Sequence, residues 1–195
     1  MTRTASVERT TNETTISVRV ELDGTGRTEI ATGIGFFDHM LELLLRNACI
    51  DAVVEAEGDL HVDEHHTVED VGLVLGGAIA RALGERRGIR RYGFLLPMDE
   101  ALARIALDLG GRPFVVFDAA FERERVGELP TELVEDFVRA LAASLRANIH
   151  VKLEYGRNDH HRIEAIFKGL GRALRAALEE DPRCEDRVPS TKGIL

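Results

Sequence analysis

The chain has no tryptophan, two cysteines and three lysines among 195 residues, and aromatic residues make up 5% of it. Cys49 and Cys184 stand in no ligand motif, so neither a thiolate metal site nor a disulfide framework is expected. A buried thiol and a surface thiol in a reducing cytoplasm fit that usage. No apolar run approaches the ~18 residues that a membrane span needs. Residues 1–12 are polar and lack the apolar stretch of a secretory signal. The net charge of −9 comes with evenly scattered arginine rather than the basic stripe that nucleic acid demands. These absences predict a cytoplasmic protein with neither a membrane nor a nucleic acid as partner. The length suffices for one substantial core or two small ones.

Histidine is used in a pattern. His65-His66-Thr67-Val68-Glu69 recurs 95 residues later as His160-His161-Arg162-Ile163-Glu164. On a helix, positions i and i+4 share a face, so His65 with Glu69, and His160 with Glu164, can each grip one cation. Adjacent helical residues point about 100° apart, which lets His66 and His161 reach a second one. A single His-His pair reads most simply as a solvated helix start. Two copies at matching places predict a two-metal site.

The duplication extends beyond the ligands. Val68, Val71, Leu75, Ile79 and Leu83 correspond to Ile163, Ile166, Leu170, Leu174 and Leu178, with the spacing of a helix that buries one stripe. These helices should stop near Gly84 and near Asp181-Pro182. Upstream, 36–41 and 133–138 share an acidic-polar step within an apolar helix. Asp23-Gly24-Thr25-Gly26-Arg27 and Asp108-Leu109-Gly110-Gly111-Arg112 look like the turns of two hairpins, entered by alternating runs from Ile16 to Leu22 and from Ala101 to Leu107. Strands are expected near 50–56 and 149–154. The predicted fold is α+β: a tandem duplication of a β-hairpin, helix, strands and helix, with helices on one face of each sheet. Boundaries fall at 1–92 and 93–195, the halves forming one compact catalytic domain. The second half carries an excess near 122–132, a charged stretch that reads as a surface loop.

Imidazoles and carboxylates without thiolate suit manganese, iron, zinc, cobalt or nickel, and tilt away from structural zinc. His39, on the first apolar helix, and its repeat partner Asp136 are further candidate ligands; Asp136 reads equally as a salt-bridge or outer partner. Lys168 lies four residues after Glu164 and so rises along the ligand-bearing face, where snorkelling to solvent is its alternative. Pro189-Ser190-Thr191-Lys192-Gly193 combines hydroxyls with an ammonium, and Arg91 and Arg112 offer bidentate forks. Together these predict a small phosphorylated ligand brought to paired metals. A metal-storage protein is one rival, disfavoured by the strand-like alternation. A metal-dependent phosphohydrolase is another.

With Phe37-Asp38-His39-Met40, Pro97-Met98-Asp99-Glu100, both histidine clusters and the terminal Pro-Ser-Thr-Lys-Gly, essentially the whole chain resembles imidazoleglycerol-phosphate dehydratase. The resemblance implies halves folded like the second domain of ribosomal protein S5, and a carbon–oxygen hydro-lyase of histidine biosynthesis that converts D-erythro-imidazole-glycerol phosphate to imidazole-acetol phosphate and water. It implies manganese, Mn2+, two per active site, and a homo-oligomer of 24 subunits with sites shared between chains. It also implies a monofunctional chain, since no residues remain for the phosphatase that some relatives carry. One ion is assigned to His39, His65, Glu69 and His161, and the other to His66, His160, Glu164 and Asp136, where relatives often carry His. Glu13 becomes the leading proton carrier, with Asp99 and a metal-bound water as rivals. Arg91, Arg112, Lys168, Ser190 and Lys192 are expected to hold the phosphate.

Overall fold

A computed structural model describes residues 3–183 and 187–190, with the side chains of 93–95 set aside. Cys184 and Lys192 lie outside the described residues. The first half runs β1 (Thr4–Thr10), β2 (Thr14–Glu21), β3 (Thr28–Ala31), α1 (Gly35–Ala48), β4 (Asp51–Gly58) and α2 (His65–Leu83). The second runs β5 (Tyr92–Met98), β6 (Ala101–Asp108), β7 (Phe114–Asp118), β8 (Arg125–Val126), β9 (Leu129–Pro130), α3 (Leu133–Leu145), β10 (Asn148–Tyr155) and α4 (Asp159–Leu178). The expected α+β duplication is what the chain forms.

Each half builds a four-stranded sheet of the same topology, in the orders β1-β2-β4-β3 and β5-β6-β10-β7. The alternation read in β2 puts Ile16, Val18 and Val20 on the buried face, and that in β6 does the same for Ala101, Ala103 and Ile105. Helices cover this one face of each sheet. The two helical layers then pack together, α1 against α4 and α2 against α3, so each half completes its core with the other.

The turn assignment needs correction. The hairpins are β1–β2, turning at Thr11-Asn12-Glu13, and β5–β6, turning at Asp99-Glu100. The glycine-rich stretches instead lead to β3 and β7, which lie parallel to β4 and β10 and are separated from β2 and β6 by those strands. The Asp51 carboxylate explains the first stretch: it accepts the backbone N–H groups of Thr25, Gly26 and Arg27 at 2.6, 2.8 and 2.9 Å. A Cβ on Gly24 would fall 2.5 Å from the Asp51 nitrogen. Close approach to β4, rather than chain reversal, requires that glycine. The helix α4 also ends at Leu178, before Pro182, because residues 179–181 pair with 88–90: Arg90 N–H donates to the Glu179 carbonyl and Asp181 N–H to that of Gly88.

Glycines repeat where helices meet. A Cβ on Gly76 of α2 would meet the Leu141 carbonyl oxygen of α3 at 2.6 Å, and one on its repeat partner Gly171 of α4 would meet that of Leu44 of α1 at 2.2 Å. Both clashes are with backbone, so they cannot be relieved by a rotamer change. Gly171→Ala is expected to destabilise the fold by about 1–3 kcal/mol, the usual cost of overpacking a core. Thermal unfolding checks this, with Gly77→Ala as the control, since nothing lies within 4 Å of a Cβ there.

Candidate metal centre

The α1–α4 contact brings two halves of a binding site together. Glu164, buried on α4, holds its Oε1 3.1 Å from His39 Nε2 of α1 and 3.7 Å from His160 Nε2. Its other oxygen lies 3.4 Å from Lys168 Nζ, one turn along the helix. Ligand atoms of His39, His160 and Glu164 all fall within 4.8 Å of one another, a spacing that one cation can span. Phe36 packs edge-on against the His160 ring at 5.1 Å between centroids. The Asn158 side chain accepts the His160 N–H at 2.9 Å and so sets the helix start.

Repeat-related residues form a looser counterpart. His65 Nδ1 lies 3.8 Å from Asp136 Oδ2, and Asp63, at the position of Asn158, accepts the His65 N–H at 2.9 Å. Glu69, which corresponds to Glu164, is exposed. Within one chain, then, His39 stands with His160 and Glu164, whereas the assignment made from the family resemblance had placed it with His65, Glu69 and His161. The helix pairing α1–α4, a tertiary event, decides this.

The second histidine of each pair is oriented separately. His66 Nδ1 is 3.0 Å from Asp59, leaving Nε2 3.7 Å from Glu13. His161 Nδ1 is 2.8 Å from Glu100, leaving Nε2 4.0 Å from Asp99. A carboxylate on Nδ1 fixes the tautomer that presents Nε2 to a metal. Donating a hydrogen bond to Asp59 raises the pKa of His66, and donating one to Glu100 raises that of His161. Glu100 is itself pushed down to about 2, first by His161 and then by the backbone N–H groups of Asn158 and Arg157. Asp59 and Glu100 were missed in the sequence. Only Glu100 lay in a motif that drew attention, and neither shares a helix with its histidine.

The phosphate candidates are more dispersed. Lys168 Nζ contacts Met98 Sδ at 2.8 Å besides Glu164. Arg91 pairs with Asp108 and donates from Nη1 to the Pro189 carbonyl at 2.9 Å, which ties down the segment that carries Ser190. The Ser190 N–H donates to the Val188 carbonyl. The Arg112 side chain is exposed at the surface.

Residues 32–174 match the family described as imidazoleglycerol-phosphate dehydratase. The chain belongs to this family. It is 58% identical over 196 residues to the imidazoleglycerol-phosphate dehydratase of Acidiphilium cryptum, covering all of both chains. Identity to that of Cereibacter sphaeroides strain KD131 is 57% over 194 residues, 99% of this chain and all of the relative. Among solved structures, the family member from Staphylococcus aureus superposes with a TM-score of 0.83 at 38% identity, over 91% of this chain and 99% of that one. The one from Pyrococcus furiosus gives 0.84 at 39% identity, over 97% and 100%. Family membership thus agrees with the fold and with the paired histidine helices. Among the described residues no helix is long and apolar enough to cross a membrane.

Proposed function

We propose that this chain dehydrates imidazoleglycerol phosphate to imidazole-acetol phosphate in histidine biosynthesis, in the cytoplasm, with two manganese ions per active site. The observation that carries the proposal is the convergence of His39, His160 and Glu164 from opposite halves, with Lys168 beside them. Residues 1–92 and 93–195 act as halves of one catalytic domain. The donors fit the metal: imidazole nitrogens and a buried carboxylate without thiolate suit a borderline or hard divalent ion. Bound cations would act as Lewis acids and as a template for the substrate imidazole.

His39, His160 and Glu164 would hold one cation, and His65, Glu69 and Asp136 the related one. His66 and His161, with Nε2 turned away from their supporting carboxylates, would complete shells in a neighbouring copy. A three-donor cluster leaves an octahedral ion short of ligands, which favours sites shared within a 24-subunit assembly. Chelation should therefore shrink the particle as well as stop turnover. Scattering before and after EDTA checks this; an unchanged particle after full metal loss opposes it.

The reaction breaks the C–O bond on the carbon beside the imidazole and a C–H bond on the next carbon. The hydroxide leaves with a proton as water, and the resulting enol takes a proton on carbon to become the ketone. Glu13 and Asp99 would move these protons, a reading supported by their positions 3.7 Å from His66 Nε2 and 4.0 Å from His161 Nε2. Lys168, Arg91, Arg112, Ser190 and Lys192 would orient the phosphate. Lys168→Ala should raise KM roughly tenfold, about 1.4 kcal/mol of binding, with kcat little changed. A fall confined to kcat would assign Lys168 another task. Product analysis tests the reaction itself: a ketone that keeps its phosphate supports dehydration, and released inorganic phosphate supports hydrolysis.

A further inference from the structure

The segment 119–132, which contains the charged stretch read at 122–132, is more than a surface loop. Glu64 and Asp159 are repeat partners, each placed immediately before a histidine pair. Neither caps its own helix; Asp63 and Asn158 do that. Both carboxylates turn instead to the same segment. Asp159, 2% exposed, accepts the backbone N–H groups of Glu122 and Arg123 at 2.9 and 2.8 Å. It also accepts Arg162 Nη1 at 2.7 Å, while Arg162 Nη2 reaches Glu122 at 3.0 Å. From the other side, Arg125 Nη1 donates to Glu64 Oε1 at 2.8 Å and to the Glu128 carbonyl at 2.9 Å.

The segment between these grips is stiff. The Thr131 hydroxyl donates to the Arg123 carbonyl at 2.8 Å, β8 pairs with β9, and Val126 and Leu129 are buried. Its turn, at Gly127 with φ of 59°, presses on α1: a Cβ there would lie 3.0 Å from Phe36 Cβ. Phe36 is the ring that packs against His160. One segment therefore touches the starts of α1, α2 and α4, the helices that carry His39 and both histidine pairs.

We infer that residues 119–132 form a brace that sets the separation of the two histidine-bearing helix starts, with Asp159, Arg125 and Glu64 as positioning residues. Metal shells tolerate displacements of only about 0.5 Å, so spacing between helix starts converts directly into affinity. Arg125 holds the α2 end and Asp159 the α4 end. The Glu64 Oε2 is buried with no partner among the described residues, so Arg125 is the cation on which that carboxylate relies.

This inference rests on the cation-binding reading above, and the test separates the two. Cobalt(II) is titrated into the chelated full-length protein, and its d–d absorption is followed as uptake restores the particle, for the parent, Arg125→Met, Arg125→Lys and Asp159→Asn. Failure of the parent to take up cobalt sinks the cation reading itself. With parental uptake intact, Arg125→Met should weaken uptake about 10- to 100-fold, the range seen for outer partners of metal ligands, and shift the bands. Arg125→Lys should recover part of the loss, and the metal-free melting temperature should stay within a few degrees. Unchanged affinity and spectrum in Arg125→Met overturns the brace. So does a loss that merely follows a fall in melting temperature and is not rescued by lysine. Because Arg125 is half-exposed, its variants carry the test even if Asp159→Asn fails to fold.

Discussion

Glu164→Gln is expected to lower kcat/KM by at least about 100-fold, the upper end of what losing a mere outer partner of a metal costs. The side chain keeps its shape, so no cavity opens in the α1–α4 contact. What disappears is the negative charge that lies between His39, His160 and Lys168. A neutral amide is a poor ligand for a divalent ion, and it leaves the Lys168 ammonium without its carboxylate partner. Metal content should fall in parallel with the rate. Glu69→Gln, at the repeat-related position, should behave similarly despite its exposure, because the proposed shared site takes ligands from both helix starts. Wild-type metal content in Glu164→Gln would count against the site as assigned.

Glu13→Gln should slow turnover by ~10²–10⁴, the usual worth of a positioned acid–base group, while leaving metal content intact. The carboxylate is exposed in the single chain and stands 3.7 Å from His66 Nε2 at the β1–β2 turn. Asp99 occupies the matching turn in the second half, beside His161, and adopts a left-handed φ of 46° that non-glycine residues rarely accept. Comparing Glu13→Gln with Asp99→Asn assigns the proton carrier. A Glu13→Gln rate within a few-fold of the parent removes Glu13 from that role.

Much of this architecture was legible because duplication writes each signal twice. The repeated His-His-x-x-Glu unit, the apolar stripes of α2 and α4 and the alternation in β2 and β6 all follow periodicities that a helix or strand imposes on its own residues. The hairpin turns were less accessible. An Asp-Gly stretch has the same chemistry whether the chain reverses or steps across a strand inserted later, and β4 and β10 are such strands. Which ligands meet was hidden for a related reason. His39 reaches Glu164 only because α1 crosses α4 at Gly171, and helix crossing leaves no periodic trace beyond a glycine in mid-helix. The carboxylates that orient His66 and His161 come from a strand end and a turn, where spacing carries no rule.

On the proposed mechanism, paired cations held by these helices drive dehydration of an imidazole substrate. The mechanism is tested most directly by stripping metal with a chelator, assaying imidazoleglycerol phosphate, then restoring manganese while counting ions per chain and identifying the product. Turnover should be lost on stripping and recover as uptake approaches two ions per chain, and the product should be a ketone that retains phosphate. Undiminished turnover by the fully stripped protein would contradict that mechanism.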